Sequence, residues 1–144
     1  MSLALRLARE ASLRGEVPVG AVLVVEGKIA GWGRNDRMMK NNILGHAELI
    51  ALQRASENIQ NWRLMRSTLY VTLEPCIMCT GALLQSRVDR VVFGCRDAKM
   101  GAVRSLYALA EDPRLNHRIK IEEGVLADES SALLRSFFDN LRTR

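Results

Sequence analysis

One histidine, two cysteines and a glutamate define the chemistry open to this chain: Gly45-His46-Ala47-Glu48 upstream, and Glu74-Pro75-Cys76-Ile77-Met78-Cys79 downstream. One imidazole nitrogen and two thiolates form a ligand set that suits zinc. Three protein ligands leave the fourth tetrahedral position open for water. Zinc lowers the pKa of such a water from about 15.7 to about 7, which makes hydroxide available at neutral pH. Glu48, two residues past the histidine, reads as a base beside that water rather than as a ligand.

Cys76 and Cys79 are three apart where a helix is expected to begin, so their sulfurs share one face. The positive end of that helix favours the thiolate forms that bind metal. His46 begins a second expected helix, over about residues 46–57, with Leu49, Ile50, Leu52 and Ala55 apolar. Two such helices side by side on a sheet would aim both N-termini, and all three ligands, at one spot.

The remaining pattern supplies that sheet. An amphipathic helix carrying Leu3, Leu5, Leu7, Ala8, Ala11 and Leu13 stops at Gly15. A β-branched run over 19–25 turns at 26–28 and returns over 29–33 as a hairpin, with Gly31 and Gly33 marking a bulge or a close backbone approach. Residues 34–45 have no periodicity and read as a loop entering the site. Strands are expected at 68–73, 90–94 and 119–121, a short helix around 105–110, and a last helix over about 128–141. In that helix Leu133, Leu134, Phe137, Phe138 and Leu141 form a stripe expected to face the core, with one of the adjacent phenylalanines freer than the other. Alternating strands and helices predict a three-layer α/β domain built on one sheet, spanning residues 1–144.

Length and composition agree with one ordinary globular domain: 144 residues, 48% hydrophobic and 26% charged. No apolar run approaches the roughly 18 residues of a membrane span, and the N-terminus lacks a signal-peptide pattern, so the expected setting is the cytoplasm without membrane association. Three cysteines, two of them in one C-x-x-C, argue against a secreted disulfide framework. The net charge of +5 is compatible with a polyanionic partner, and basic residues recur near the site segments at Arg34, Arg37, Arg96 and Lys99.

A lone C-x-x-C also fits a thioredoxin-like redox pair or half of a structural zinc site. Cys95 or His117 would have to complete the latter, and neither belongs to a paired motif; the His-Ala-Glu run upstream outweighs both readings. Cys95 reads as a small buried hydrophobe, His117 as a surface or capping residue, and Trp32 and Trp62 as packing residues.

The H-x-E … P-C-x-x-C pattern resembles that of zinc-dependent nucleobase deaminases. The likeness extends over essentially the whole chain. It includes residues 14–22 (Arg-Gly-Glu-Val-Pro-Val-Gly-Ala-Val), 69–76 (Leu-Tyr-Val-Thr-Leu-Glu-Pro-Cys), 86–94, 96–99 (Arg-Asp-Ala-Lys), 116–118 and 124–129. In these runs the chain is similar to the bacterial tRNA-specific adenosine deaminases of the cytidine-deaminase superfamily.

The resemblance implies an α/β/α cytidine-deaminase-like fold with a central mixed five-stranded sheet. It also implies conversion of the wobble adenosine of a tRNA anticodon stem-loop to inosine, one Zn2+ per subunit and a homodimer. On this chain it makes His46, Cys76 and Cys79 the zinc ligands and Glu48 the proton shuttle. Asn35, with the backbone N–H of Ala47 nearby, is implied to hold the flipped base, and Asp97 to accept from a ribose 2′-OH. Lys99, Phe138 and Arg142 are implied to contact flanking nucleotides or phosphates. Asn42-Ile43-Leu44-Gly45 departs from the family's usual Asp-Pro-Thr-Ala, so the loop before His46 is expected to follow its own path. The alternatives on the same scaffold are a deaminase of free bases or nucleosides, and a zinc-stabilised binding module without catalysis.

Overall fold

The computed structural model describes residues 1–144, and it is built around one mixed sheet. Strand β1 (Gly20–Val25) runs antiparallel to both β2 (Lys28–Arg34) and β3 (Ser67–Leu73). Strands β4 (Arg90–Cys95) and β5 (Lys120–Glu123) then continue parallel to β3, giving the order β2-β1-β3-β4-β5. The β1–β2 hairpin closes through Glu26 and Gly27, both at positive φ (49° and 80°), which is what a two-residue turn matched to strand twist requires.

Helices cover both faces, as expected. On one face lie α2 (Ala47–Ile59) and α3 (Ile77–Gln85), packed on Ala21, Leu23, Leu69, Val71, Val91 and Phe93. On the other, α1 (Ser2–Leu13) sets Ala4 and Leu7 against Val22. The helix α4 (Ala127–Arg142) lies on that second face too, over β4. Consecutive strand residues thus feed opposite layers; no residue of β1, β3 or β4 is exposed, whereas the edge strands β2 and β5 carry exposed positions.

Gly31 and Gly33 explain how tightly α2 sits. A side chain at either would overlap the α2 backbone, at the Ala51 and Ala47 carbonyls respectively. The hairpin register also shifts between Leu23 and Val24, so the bulge and the close approach both occur here.

Four expectations need correction. Residues 105–110 do not form a helix; the Leu106 and Leu109 N–H groups reach back to the Gly101 and Ala102 carbonyls rather than to carbonyls four residues back, and only a 3-10 turn forms, η1 (Leu109–Glu111). The last strand begins one residue later than expected, at Lys120, with Ile119 buried ahead of it. The α4 stripe buries only Phe137 fully: Phe138 is the freer of the two phenylalanines, as expected, but Leu141 is 45% exposed because it lies at the last turn of the helix. Trp32 and Trp62 are not packed inside: both are exposed, each with an arginine (Arg54, Arg63) 4.2 Å above its ring. Cys95 is half-buried at the end of β4.

Candidate active site

The hairpin arm β2 ends at Arg34, and the chain then makes a compact loop before α2. Asp36 N–H donates to Gly45 O at 3.0 Å and closes the loop. The buried Glu16 carboxylate tethers it by accepting the Met39 N–H at 2.6 Å. The chain emerges with His46 as the N-cap residue of α2, while β3 passes through Glu74-Pro75 to Cys76, the N-cap residue of α3. Both caps are extended residues at helix N-termini, so the two positive helix ends meet.

At that meeting point His46 Nδ1 lies 3.6 Å from Cys76 Sγ and 3.5 Å from Cys79 Sγ. The three ligand atoms all fall within 4.8 Å of one another. The hydrogen bond from Cys79, with help from His46, holds the Cys76 thiol down to about 4. Contact with the Cys76 thiolate and burial push the Cys79 thiol up, and the hydrogen bond to Cys76 raises His46. One imidazole and two thiols converging this closely, one already ionised, form a donor set that fits zinc with one coordination position to spare. Glu48, in the first turn of α2, is buried, and that desolvation raises its carboxyl pKa to about 7. A group so tuned can both accept and release a proton near neutrality.

These residues sit in a cavity of about 580 Å3. His46, Glu48 and Cys76 line it, and Cys79 lies beneath, fully buried. Asn35, Asp97, Lys99 and Phe138 line it as well. Ala47 does not offer its N–H to the cavity, because that N–H donates to Asn35 Oδ1 at 2.9 Å. Arg142 is not brought to the cavity; it pairs with Asp139 on its own helix. His117 is also remote, its Nε2 donating to the Val88 carbonyl at 2.7 Å. Asp97 uses Oδ1 to accept the N–H groups of Lys99 (3.0 Å) and Met100 (3.2 Å), and Oδ2 makes no hydrogen bond within the protein.

Beside the apolar lining of Val17, Val19 and Leu73, three contributors without an expected site role matter most. Arg37 lines the cavity from the loop, and Leu134 lines it from α4. Glu74 is the third; burial alone would raise its carboxyl, but hydrogen bonds from Ser105, Arg104 and Asp97 hold it below the ordinary value. No helix is long and apolar enough to cross a membrane.

Known proteins are similar to this chain over nearly its whole length. A family model described as MafB19-like deaminase matches residues 1–142. The tRNA-specific adenosine deaminase of Haemophilus influenzae is 49% identical over 143 residues, covering 99% of this chain and 83% of that protein. The enzyme of the same description from Bacillus subtilis is 42% identical, covering 100% of this chain and 89% of the other. A solved structure from work on A-to-I editing by tRNA:A34 deaminases at the wobble position superposes with a TM-score of 0.89. It is 39% identical over 93% of this chain and 97% of that one.

Proposed function

The chain belongs to the tRNA-specific adenosine deaminase family, and from that membership we propose that it hydrolyses the wobble adenosine of a tRNA anticodon stem-loop to inosine and ammonia. The observation that carries this reading is the convergence of His46, Cys76 and Cys79 beside the buried carboxyl of Glu48 at the floor of one cavity. His46 Nδ1, Cys76 Sγ and Cys79 Sγ would hold one zinc ion per subunit, which supplies a water acidified enough to attack at neutral pH.

The chain's own residues do the rest. Glu48 takes a proton from the attacking water and passes it to the purine ring nitrogen next to the reacting carbon. It then helps to protonate the departing amine. Water oxygen replaces the exocyclic nitrogen, so adenosine becomes inosine and one ammonia leaves. Asn35, with Oδ1 engaged by Ala47, turns its Nδ2 donor to the base. Val17, Val19, Leu73, Leu134 and Phe138 give the flipped base an apolar wall, which offsets part of the unstacking energy. Asp97 Oδ2 accepts the ribose 2′-OH, a contact that favours RNA over DNA. Lys99, at the cavity, and Arg142, farther out on α4, meet flanking phosphates.

Elements from Ser2 to Arg142 share the one sheet, which supports residues 1–144 as a single deaminase domain. A homodimer is supported by exposed Trp62, Ile77 and Met78 on the α2–α3 side. A tRNA substrate supports a cytoplasmic setting.

The test is an anticodon stem-loop with adenosine at the wobble position, digested after reaction and analysed for inosine by mass spectrometry. Free adenosine, cytidine and guanine are run in parallel. Inosine from the stem-loop alone is the expected result; turnover of a free base with none on RNA would replace this reading with a small-molecule deaminase.

A further inference from the structure

The carboxylate of Glu74 is 2% exposed, and five donors from one loop bind it. Oε1 accepts the Asp97 N–H (3.1 Å) and the Ser105 hydroxyl. Oε2 accepts the N–H groups of Val103 (3.2 Å), Arg104 (2.9 Å) and Ser105 (2.9 Å). Gly101 passes against the same carboxyl group so closely that a side chain there would overlap it. Main-chain contacts finish the seal: Cys76 bridges to Gly101, and Ala102 N–H donates to Pro75 O at 2.9 Å.

The loop so held carries part of the cavity wall. Asp97 is itself the first clamped residue, and Lys99 lies between it and the second clamped stretch at Val103–Ser105, where no helix or strand fixes either of them. Glu74 itself stands two residues before Cys76, on the rigid end of β3. A buried carboxylate is retained in a core only when its hydrogen bonds are complete, and here every partner belongs to the segment that walls the site.

We propose that Glu74 is a positioning residue for substrate recognition. It sets Asp97 and Lys99 in register with the His46–Cys76–Cys79 centre, so that one turn carries a metal ligand and also fixes where the target ribose is gripped. The inference rests on the reading above in which Asp97 accepts the 2′-OH. Replacing Glu74 by Gln turns an NH2 group on at least one set of N–H donors and releases the loop, while Asp retains both acceptor oxygens on a shorter arm.

The experiment uses the full-length zinc-loaded protein and its Glu74→Gln, Glu74→Asp and Asp97→Ala variants. Substrates are anticodon stem-loops carrying adenosine or 2′-deoxyadenosine at the wobble position. Zinc content, stem-loop affinity by fluorescence anisotropy, kcat and KM are measured for each. In E74Q we expect wild-type zinc content, with affinity weakened and KM raised about tenfold, the scale of one lost charge-assisted hydrogen bond, while kcat changes far less. Its preference for ribose over deoxyribose should fall toward that of D97A, and E74D should recover part of it. A merely structural glutamate would leave that preference alone. Folded, zinc-loaded E74Q with the wild-type preference overturns the proposal. Should E74Q fail to fold, Gly101→Ala presses on the same clamp from the other side, and wild-type preference in folded G101A overturns it equally. Absence of inosine from the wild-type protein would overturn the reading of the site beneath it, and the proposal with it.

Discussion

The Ala47 N–H donates to Asn35 Oδ1 at 2.9 Å, locking the end of the β2 arm to the first turn of the helix that presents His46 and Glu48. Asn35 lines the cavity, and on the function proposed above it has two separable duties: its oxygen supports α2, and its nitrogen is left to donate to the base. Asn35→Asp keeps the acceptor and loses the donor. Its unfolding free energy should stay within about 1 kcal/mol of wild type, while kcat/KM falls about 10²-fold, as for other lost donors in preorganised sites. Asn35→Ala leaves the buried Ala47 N–H unpaired and should lose about 1–3 kcal/mol besides. Denaturant titration and steady-state kinetics on both variants check this. Equal stability losses would refute the division of labour.

Glu48 lies outside the cluster of His46, Cys76 and Cys79 that could hold a metal ion. Glu48→Gln should therefore bind zinc at wild-type stoichiometry and hold the stem-loop about as tightly. Its kcat should fall by about 10²–10⁴, the usual contribution of a positioned acid–base group. Metal analysis alongside single-turnover kinetics reads both, and loss of zinc from this variant would count against the shuttle role.

Chelation should expose the chemistry of the metal set directly. Without a bound cation the half-buried Cys76, its pKa held down to about 4, is a reactive thiolate, whereas Cys79 is buried. After chelator treatment a maleimide should label Cys76 rapidly and Cys79 slowly, as read by peptide mass spectrometry. Added zinc should block labelling and raise the melting temperature, worth about 2.7 kcal/mol at a hundred times its dissociation constant. Labelling indifferent to zinc would mean that the three residues do not form a site.

What the sequence revealed and what it hid divide along contact range. The β1–β2 hairpin, the starts of α2 and α3 and the grouping of His46 with Cys76 and Cys79 are written in local signals: a short Glu-Gly turn, a His and a Cys at helix starts, and a three-residue spacing. Glu74 was missed because its partners lie 23–31 residues away, and no local pattern announces that a loop will wrap a carboxylate. The helix expected at 105–110 failed for a related reason: the Leu106 and Leu109 N–H groups bond back to Gly101 and Ala102 in the same folded loop. The apolar stripe of α4 misled in part, because periodicity reports which face is apolar, not what that face meets; Leu134 ends up at the cavity rather than in the core, beside Phe138, an expected site residue. The tryptophans misled for a different reason: a guanidinium can cover an exposed ring as a core would.

The seat of α2 on β2 links stability to the site. Gly33 faces the Ala47 carbonyl at the start of the helix, whereas Gly31 faces the Ala51 carbonyl one turn on. A methyl group at either must push the helix outward, an overpacking effect of about 1–3 kcal/mol. Gly33→Ala, however, presses on the very turn that carries His46 and Glu48, so it should also weaken zinc affinity and lower kcat. Gly31→Ala should destabilise comparably with smaller losses of both, because the helix can tilt about its first turn. Melting curves, competitive zinc titration and kcat for the pair decide it. Equal catalytic losses at equal destabilisation would mean that α2 moves as a rigid body and that proximity to the ligand turn carries no special weight.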